Sequence, residues 1–324
     1  MNTGASSLAA ASLGGETSNW VERLADGVVC ALIDEAQLTP KPGLVDSRGN
    51  GSHSDLNLSL MRLSAKTLRP YFLSMARAGT QIEQIAVLRR VIGAQGREAE
   101  AAMLRATSGV NTHRGAIWSL GLLITAAARA GCRRGGRGLR AGTVASLAGA
   151  LARCPDPAAP EQTGNKGEAA RRRYRVGGAV AQAQAGFPLV TNAALSQLYR
   201  SRKAGQPEDA ARLNALLAVM AQLDDTCLLS RGGRQALAAM QARAAAVLAM
   251  GGAGSPAGRR ALQGLHDYAL RQGLSPGGAA DLLAAALFLD QLTKAAFPKP
   301  TMWEQTWKQC HSRTRQLVWQ PAVP

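Results

Sequence analysis

Residues 19–40 read NWVERLADGVVCALIDEAQLTP, and this stretch decides the fold class. Asn19 and Glu22 have the spacing of a capping box, in which two side chains three residues apart satisfy backbone N–H groups at a helix start. Trp20, Val21, Leu24, Val28, Val29 and Leu32 then recur at the intervals that line one face of an α-helix. Pro40 and Pro42 end it, because a proline offers no N–H and disfavours helical backbone in the residue before it. The unit is an amphipathic helix running into a stiff loop, and the rest of the chain repeats that pattern.

Apolar residues fill 46% of the 324 positions but aromatics only 4%, so Ala and Leu must carry the core. Both are strong helix formers and weak strand markers. No run alternates Val, Ile, Thr or Tyr as a strand would. Ser54 or Asp55 is expected to cap a second helix through Leu60, Leu63, Leu68 and Phe72. Gly79 is expected to break it, and Thr80 with Glu83 to open a third that ends at Ser108-Gly109. The apolar helix from Ala116 to Ala130 is shorter than the roughly 20 residues a bilayer crossing needs. Pro207 and Pro256 sit at expected first turns, and Gly251 and Gly273 at expected helix ends. Ser275-Pro276 opens a final core helix, and Thr301 with Glu304 caps a last polar one. The Arg/Gly-rich residues 132–142 and the Pro/Gly/Ala-rich residues 155–167 are expected to be surface connections.

The formal net charge of +17 admits nucleic acid, a membrane surface or a polyphosphate as partner, or a merely solvated Arg-rich surface. Five scattered cysteines without CxxC spacing argue against a structural zinc site or a disulfide framework and fit a reducing compartment. The first twenty residues hold no Lys or Arg and no continuous apolar run, so they do not resemble a signal peptide. A cytoplasmic protein is expected.

Polar residues gather in four loops that abut apolar helices: 41–53, 111–115, 224–233 and 275–278. Loops on a rigid scaffold are where binding groups are usually held. Glycines there, such as Gly232, Gly233 and Gly277, let backbone approach a ligand, and a helix start offers N–H groups to an anion. His113 and Arg114 precede one helix and Arg231 another, Lys41 lies in the first loop, and Ser275 stands beside Gly277. These are the candidate phosphate contacts. Asp46, Asp55, Asp224, Asp225 and Asp281 supply carboxylates, and magnesium takes one or two of those together with phosphate oxygens. By themselves the residues point to a helical enzyme that handles a polyphosphate.

Taken in order, the same segments resemble the signatures of one family. Glu35 with Thr39-Pro-Lys-Pro-Gly-Leu-Val-Asp46, continued by Gly51-Ser-His-Ser-Asp55, is similar to the first. Gly109-Val-Asn-Thr-His-Arg-Gly-Ala-Ile117 resembles the second, and Asp224-Asp-Thr-Cys-Leu-Leu-Ser-Arg-Gly-Gly233 the third. Leu274-Ser-Pro-Gly-Gly-Ala-Ala-Asp-Leu-Leu283 resembles the fourth. The family is that of the triphosphoribosyl-dephospho-CoA synthases. The resemblance implies an enzyme that joins the triphosphoribosyl group of ATP to the 2′-hydroxyl of 3′-dephospho-CoA and releases adenine. It also implies that the product passes to an acyl-carrier-protein transferase, as prosthetic-group precursor for malonate decarboxylase or citrate lyase. Cys227 stands where members serving citrate lyase carry Asn, which favours the malonate branch. Two places depart from the family pattern. Val180 and Gln182 stand where a Gly-x-Arg-Gly-Glu run would have Arg and Glu, and Lys166-Gly167 where His-Gly is expected, so no catalytic role is placed there.

Breaking a glycosidic C–N bond implies an oxocarbenium-like transition state. Lys41, His113, Arg114 and Arg231 are expected to hold the triphosphate, and Asp46 and Asp225 to face Mg2+. Asp225, ahead of Glu35, is the expected general base, while Asp281 either joins the site or caps its own helix. The expected architecture is a flexible tail over residues 1–18 and a single all-α catalytic domain over residues 19–324. That domain is a compact multi-helix bundle whose loops meet in one cleft, and a homodimer is compatible with it. Two rival readings are a metal-dependent glycohydrolase with water as acceptor and a nucleic-acid-binding protein using Arg133–Arg140 and Arg171–Arg175. The second leaves the acids and the Pro-Gly loops without a purpose.

Overall fold

The structure, a computed structural model, describes residues 4–132, 136, 138–160 and 163–294. The helix expected at Thr301 and the basic residues Arg133, Arg134 and Arg137 lie outside them. Every regular element among the described residues is helical, and the one extended pairing is an isolated bridge between Asp46 and Gly49. No helix among them is long and apolar enough to cross a membrane.

The first helix, α1 (Gly4–Gln37), begins well before Asn19. The stretch expected to be a tail continues it, being rich in Ala, Ser and Leu that a helix accepts at little cost. Two helices, α2 (Leu58–Thr67) and α3 (Arg69–Gln81), replace the single one expected through Phe72. Asn57, and neither Ser54 nor Asp55, caps α2 by accepting from the Leu60 N–H, and Pro70 sets a fresh start in the first turn of α3. Gly79 does not break α3. A Cβ there would stand 2.5 Å from the Thr125 carbonyl oxygen, so glycine lets α3 press against α5 (Arg114–Gly131). Accordingly α4 (Ile85–Ala106) begins after Gln84 and not at Thr80.

The chain continues through α6 (Ala141–Arg153), α7 (Lys166–Tyr174) and α8 (Gly178–Gln184). A π-helical segment (Leu189–Leu195) leads into α9 (Ser196–Lys203), followed by α10 (Glu208–Met220) and α11 (Thr226–Ala249). The last two helices are α12 (Pro256–Arg271) and α13 (Gly277–Thr293). Pro256 takes the first turn of α12 behind its cap Ser255, whereas Pro207 is itself the cap residue of α10. Gly251 and Gly273 follow helix ends at φ of 91° and 64°.

Two helices form the centre. Residues from Leu282 to Asp290 of α13 are buried without a break, and α5 is buried on nearly every side. A helix apolar all round belongs in a core and not on a surface. Accordingly, α13 packs on α1, α5, α10 and the π-helical segment, while α3, α4 and α6 close over α5. Fully buried Phe288 and Leu283 each stabilise the centre by about 1.5–3 kcal/mol.

One charge is buried with them. Asp290, 4% exposed, accepts from Arg202 of α9 at 2.8 and 2.9 Å and pairs with Lys294 at 2.9 Å. Arg202 also grips Glu208, which reaches Arg212, which reaches Asp34 of α1. The chain of ion pairs therefore ties α1, α9, α10 and α13 together. Arg202→Ala would strip the bidentate partner from Asp290 and leave it only the more exposed Lys294. Denaturant unfolding should then show a loss of about 3 kcal/mol, the low end for uncovering a buried charge. A loss of less than about 1 kcal/mol would mean the pair behaves as a surface bridge.

Candidate active site

The four loops expected to converge do so, through helix starts. Asp225 caps α11, its Oδ1 accepting from the N–H groups of Cys227 at 2.8 Å and Leu228 at 3.4 Å. Its Oδ2 accepts from Ala279 N–H, in the first turn of α13, at 3.0 Å. One carboxylate, 2% exposed, thus holds the starts of two helices, where the helix dipoles favour negative charge. Burial raises its pKa, and the N–H groups of Ala279, Cys227, Leu228 and Gly278 oppose that rise. Glycine allows the approach: a Cβ on Gly278 would stand 3.2 Å from the carboxylate, and one on Gly277 3.1 Å from Cys227 Sγ.

Asp281 does not cap its own helix, whose cap residue is Pro276. Its carboxyl crosses to the start of α5, where it accepts from Ala116 N–H and occupies the space a Cβ on Gly115 would need. The residue as a whole is half-buried, while its carboxyl lies inside against the start of α5. Burial first, then the nearby charges of Glu35 and Asp225, push its pKa well above the usual carboxylate range.

The first loop turns Lys41 back under α1. Its Nζ donates to Glu35 Oε1 at 2.6 Å and to the Glu35 carbonyl at 2.5 Å, and both side chains are buried. Asp46 accepts from the backbone N–H groups of Lys41 and Arg48 and from the Arg48 guanidinium at 2.9 Å. Burial alone would raise the Asp46 pKa, but these donors outweigh it and hold the carboxyl below its ordinary value. His113 is 2% exposed, and burial followed by the Lys41 charge brings its pKa down to about 3. Its Nδ1 lies 2.8 Å from Ser64 Oγ, which itself accepts from Thr112 Oγ1 at 2.6 Å. The other ring nitrogen, Nε2, is buried without a hydrogen-bond partner among the described residues.

Arg231 and Gly232 lie in the second turn of α11 and not in a loop, because the helix starts at Thr226 and its kink falls at Gly233 (φ 67°, ψ −164°). Arg231 reaches over the first loop and donates to the carbonyls of Gly273 at 2.9 Å and Ser52 at 3.2 Å, and to His53 Nδ1 at 3.2 Å. With Nδ1 accepting, His53 donates from Nε2 to Ser275 Oγ at 2.8 Å. Burial, then the Arg231 charge, lowers the His53 pKa against the opposing pull of Asp55. Ser275 thus orients His53. Gly232 packs on Leu274, which a Cβ would approach to 2.9 Å.

The nominated cations divide. Lys41 is sealed by Glu35, and Arg114 is paired with Glu100 of α4 at 2.5 Å. All three acceptors of Arg231 are neutral, so its charge stays uncompensated there. His113, its pKa lowered by burial and by Lys41, brings no charge. Asp46 and Asp225 do not fit the metal-facing role, because their oxygens are already engaged by N–H donors. Among the described residues, no group of three His, Cys, Asp or Glu is gathered to hold an ion. His53, Arg48 and Ser64 belong to the site although they were not singled out as contacts. Ser64 lies inside α2, 49 residues from His113, so no local pattern marks it. The segments that depart from the family pattern also reach the site, since Gly167 and Gly178 both pack on Thr226.

Asp225→Asn would set an amide NH2 against backbone N–H groups, donor facing donor. Unfolding should become easier by about 1–3 kcal/mol, while the exposed Asp224→Asn leaves it unchanged. Equal stability of the two variants would show that the Asp225 carboxylate does not join the helices.

A family model described as ATP:dephospho-CoA triphosphoribosyl transferase matches residues 21–297. A relative from Pseudomonas paraeruginosa (strain DSM 24068 / PA7), named as a probable 2-(5''-triphosphoribosyl)-3'-dephosphocoenzyme-A synthase, is 57% identical over 275 residues. That match covers 85% of this chain and 92% of the relative. A Klebsiella pneumoniae relative, named 2-(5''-triphosphoribosyl)-3'-dephosphocoenzyme-A synthase, is 53% identical over 272 residues, or 84% of this chain and 95% of its own. No solved structure matches the chain significantly. With the model spanning most of the sequence and such relatives over half identical, the chain belongs to the ATP:dephospho-CoA triphosphoribosyl transferase family.

Proposed function

We propose that the chain transfers the triphosphoribosyl group of ATP to the 2′-hydroxyl of 3′-dephospho-CoA with release of adenine. The observation that carries this reading is one place where three buried or half-buried acids, Glu35, Asp225 and Asp281, stand close to the loop bridged by Arg231. A polyanion needs the second feature, and a proton transfer at a ribose needs the first. In the reaction the C1″–N9 bond breaks with its electron pair going to adenine, and a C1″–O2′ bond forms. The hydroxyl loses a proton and the departing base gains one, so the balance requires a group that both gives and takes.

Asp281 suits that role better than Asp225 or Glu35. Asp225 has both oxygens committed to helix starts, and Glu35 is bound to Lys41. Asp281 as a residue is half-buried, no cation contributes to its environment, and its acidic neighbours favour the protonated form. It gives its proton to the leaving adenine and recovers one from the acceptor hydroxyl. Asp225 contributes by fixing α13, and with it Asp281. Arg231 takes the phosphate side. Magnesium enters as part of the substrate, bound by triphosphate oxygens, and neutralises their charge. Cys227, packed on Gly277, supports the malonate decarboxylase branch, with the product passed to an acyl-carrier-protein transferase. The cysteine pattern supports a cytoplasmic setting.

Incubation with ATP, magnesium and 3′-dephospho-CoA, with products identified by mass, tests the reading. Adenine should appear only with both nucleotides, together with a triphosphoribosyl adduct of dephospho-CoA. Free ribose triphosphate without the adduct would make the protein a glycohydrolase. Asp281→Asn should lower turnover by about 10²–10⁴-fold with the helical signal retained, and a variant of near-normal rate would remove Asp281 from the chemistry.

A further inference from the structure

The far side of the Pro40 loop encloses a cavity of about 240 Å³ that the chemistry above leaves unused. Its walls are the apolar side chains of Pro40, Leu213, Ala253 and Leu262, and its polar groups come from Gln263, His266 and Arg259 of α12. The volume falls below the roughly 300–1,000 Å³ of pockets for drug-sized ligands, so it suits one ring system and not a whole nucleotide. His266 Nδ1 faces two donors, the Gly43 N–H and the Arg48 guanidinium, each at 3.5 Å. That arrangement places the ring proton on Nε2 as a donor. Gln263 spends its Nε2 on Asp267 at 2.7 Å, which leaves Oε1 as an acceptor. Apolar walls with donors on His266 and Arg259 and an acceptor on Gln263 match adenine, which carries ring-nitrogen acceptors and a 6-amino donor.

A second cavity, of about 400 Å³, opens beside it and is polar. Asp46, Ser47, Arg48, Asn50, Asn57 and Ser59 line it, and Arg48 is paired there with Asp46 at 2.9 Å. Arg48 belongs to this cup, and its guanidinium also reaches His266 in the wall of the first cavity. The apolar slot and the polar cup therefore adjoin across one residue, which leaves polar space beside a ring for the rest of a nucleotide. Pro40, shared with the slot, is the residue before Lys41, so both cavities border the reacting loop.

We propose that the cavity between the Pro40 loop and α12 is the adenine subsite of a nucleotide substrate. The assignment rests on the triphosphoribosyl transfer proposed above, in which both substrates carry adenine. Calorimetric titration of the intact protein with AMP, ATP and 3′-dephospho-CoA, each alone, tests it. The exposed position Gln263 accepts two variants: Gln263→Trp fills the slot, and Gln263→Ala removes the acceptor. Gln263→Trp should weaken AMP and at least one substrate by about tenfold or more, which is about 1.4 kcal/mol, at an unchanged melting temperature. The substrate affected names the source of the base. Gln263→Ala should in addition narrow the preference for AMP over IMP. Unchanged AMP affinity in both variants would overturn the proposal, as would weakening that tracks a lowered melting temperature. If AMP binding responds as expected but the wild type forms no triphosphoribosyl product, the subsite stands and the transfer reading falls.

Discussion

Three helix starts meet at two carboxyl groups, and the site depends on that meeting. A helix start leaves N–H groups without internal partners, and each one buried unsatisfied costs about 1–3 kcal/mol. Asp225 answers for α11 and α13 together, and Asp281 for α5. Charge and dipole offset each other here: the N–H groups that need an acceptor also make burial of a carboxylate tolerable. The glycines follow from the same constraint. Gly115, Gly277 and Gly278 lie where backbone must come against a carboxyl or a thiol, and a methyl group at any of them would push the helix starts apart.

The acids compete for a limited supply of positive charge. Lys41 is spent on Glu35, and Arg48 on Asp46. Asp281 has no such partner contributing to its environment and faces Glu35 and Asp225, so the proton is its counterion. The histidines bend to the same field. His113, beside Lys41, and His53, beside Arg231, are both driven toward the neutral ring, and Arg231, which can only donate, leaves the His53 proton on Nε2. Most of the cations read from the sequence are therefore already paired within the fold, Lys41 with Glu35, Arg48 with Asp46 and Arg114 with Glu100.

What the sequence made legible was local. The helix over Trp20 to Leu32, its stop at Pro40, the first turn at Pro256 and the glycines at 251 and 273 all signal within a few residues of their effect. What stayed hidden had its partner on another element. Gly79 has the look of a break because its reason, the Thr125 carbonyl on α5, lies 46 positions away. Pro70 was passed over although it ends one helix and starts another. Asp225 was legible as an acid at a helix start, but not as the acceptor for a second helix 54 residues on. Arg114 was legible as a cation, but not as one already neutralised by Glu100. The segments that carry the family resemblance meet in the fold, a tertiary meeting that no short window of sequence contains.

The basic character of the chain and the chemistry of the site are then separate matters. A formal charge of +17 spread over the surface raises the local concentration of a polyanion and speeds its arrival, an effect that salt weakens. It does not choose the substrate, because scattered arginines attract any polyphosphate alike. Choice must come from groups held in fixed positions: Arg231 clamped by two carbonyls and His53, and a carboxyl pinned across the start of α5. Orientation of two bound reactants can lower a barrier by roughly 7–11 kcal/mol, more than any single cation supplies. A helical scaffold whose helices begin at the same two carboxyls is a direct way to obtain that rigidity from a core built mostly of alanine and leucine.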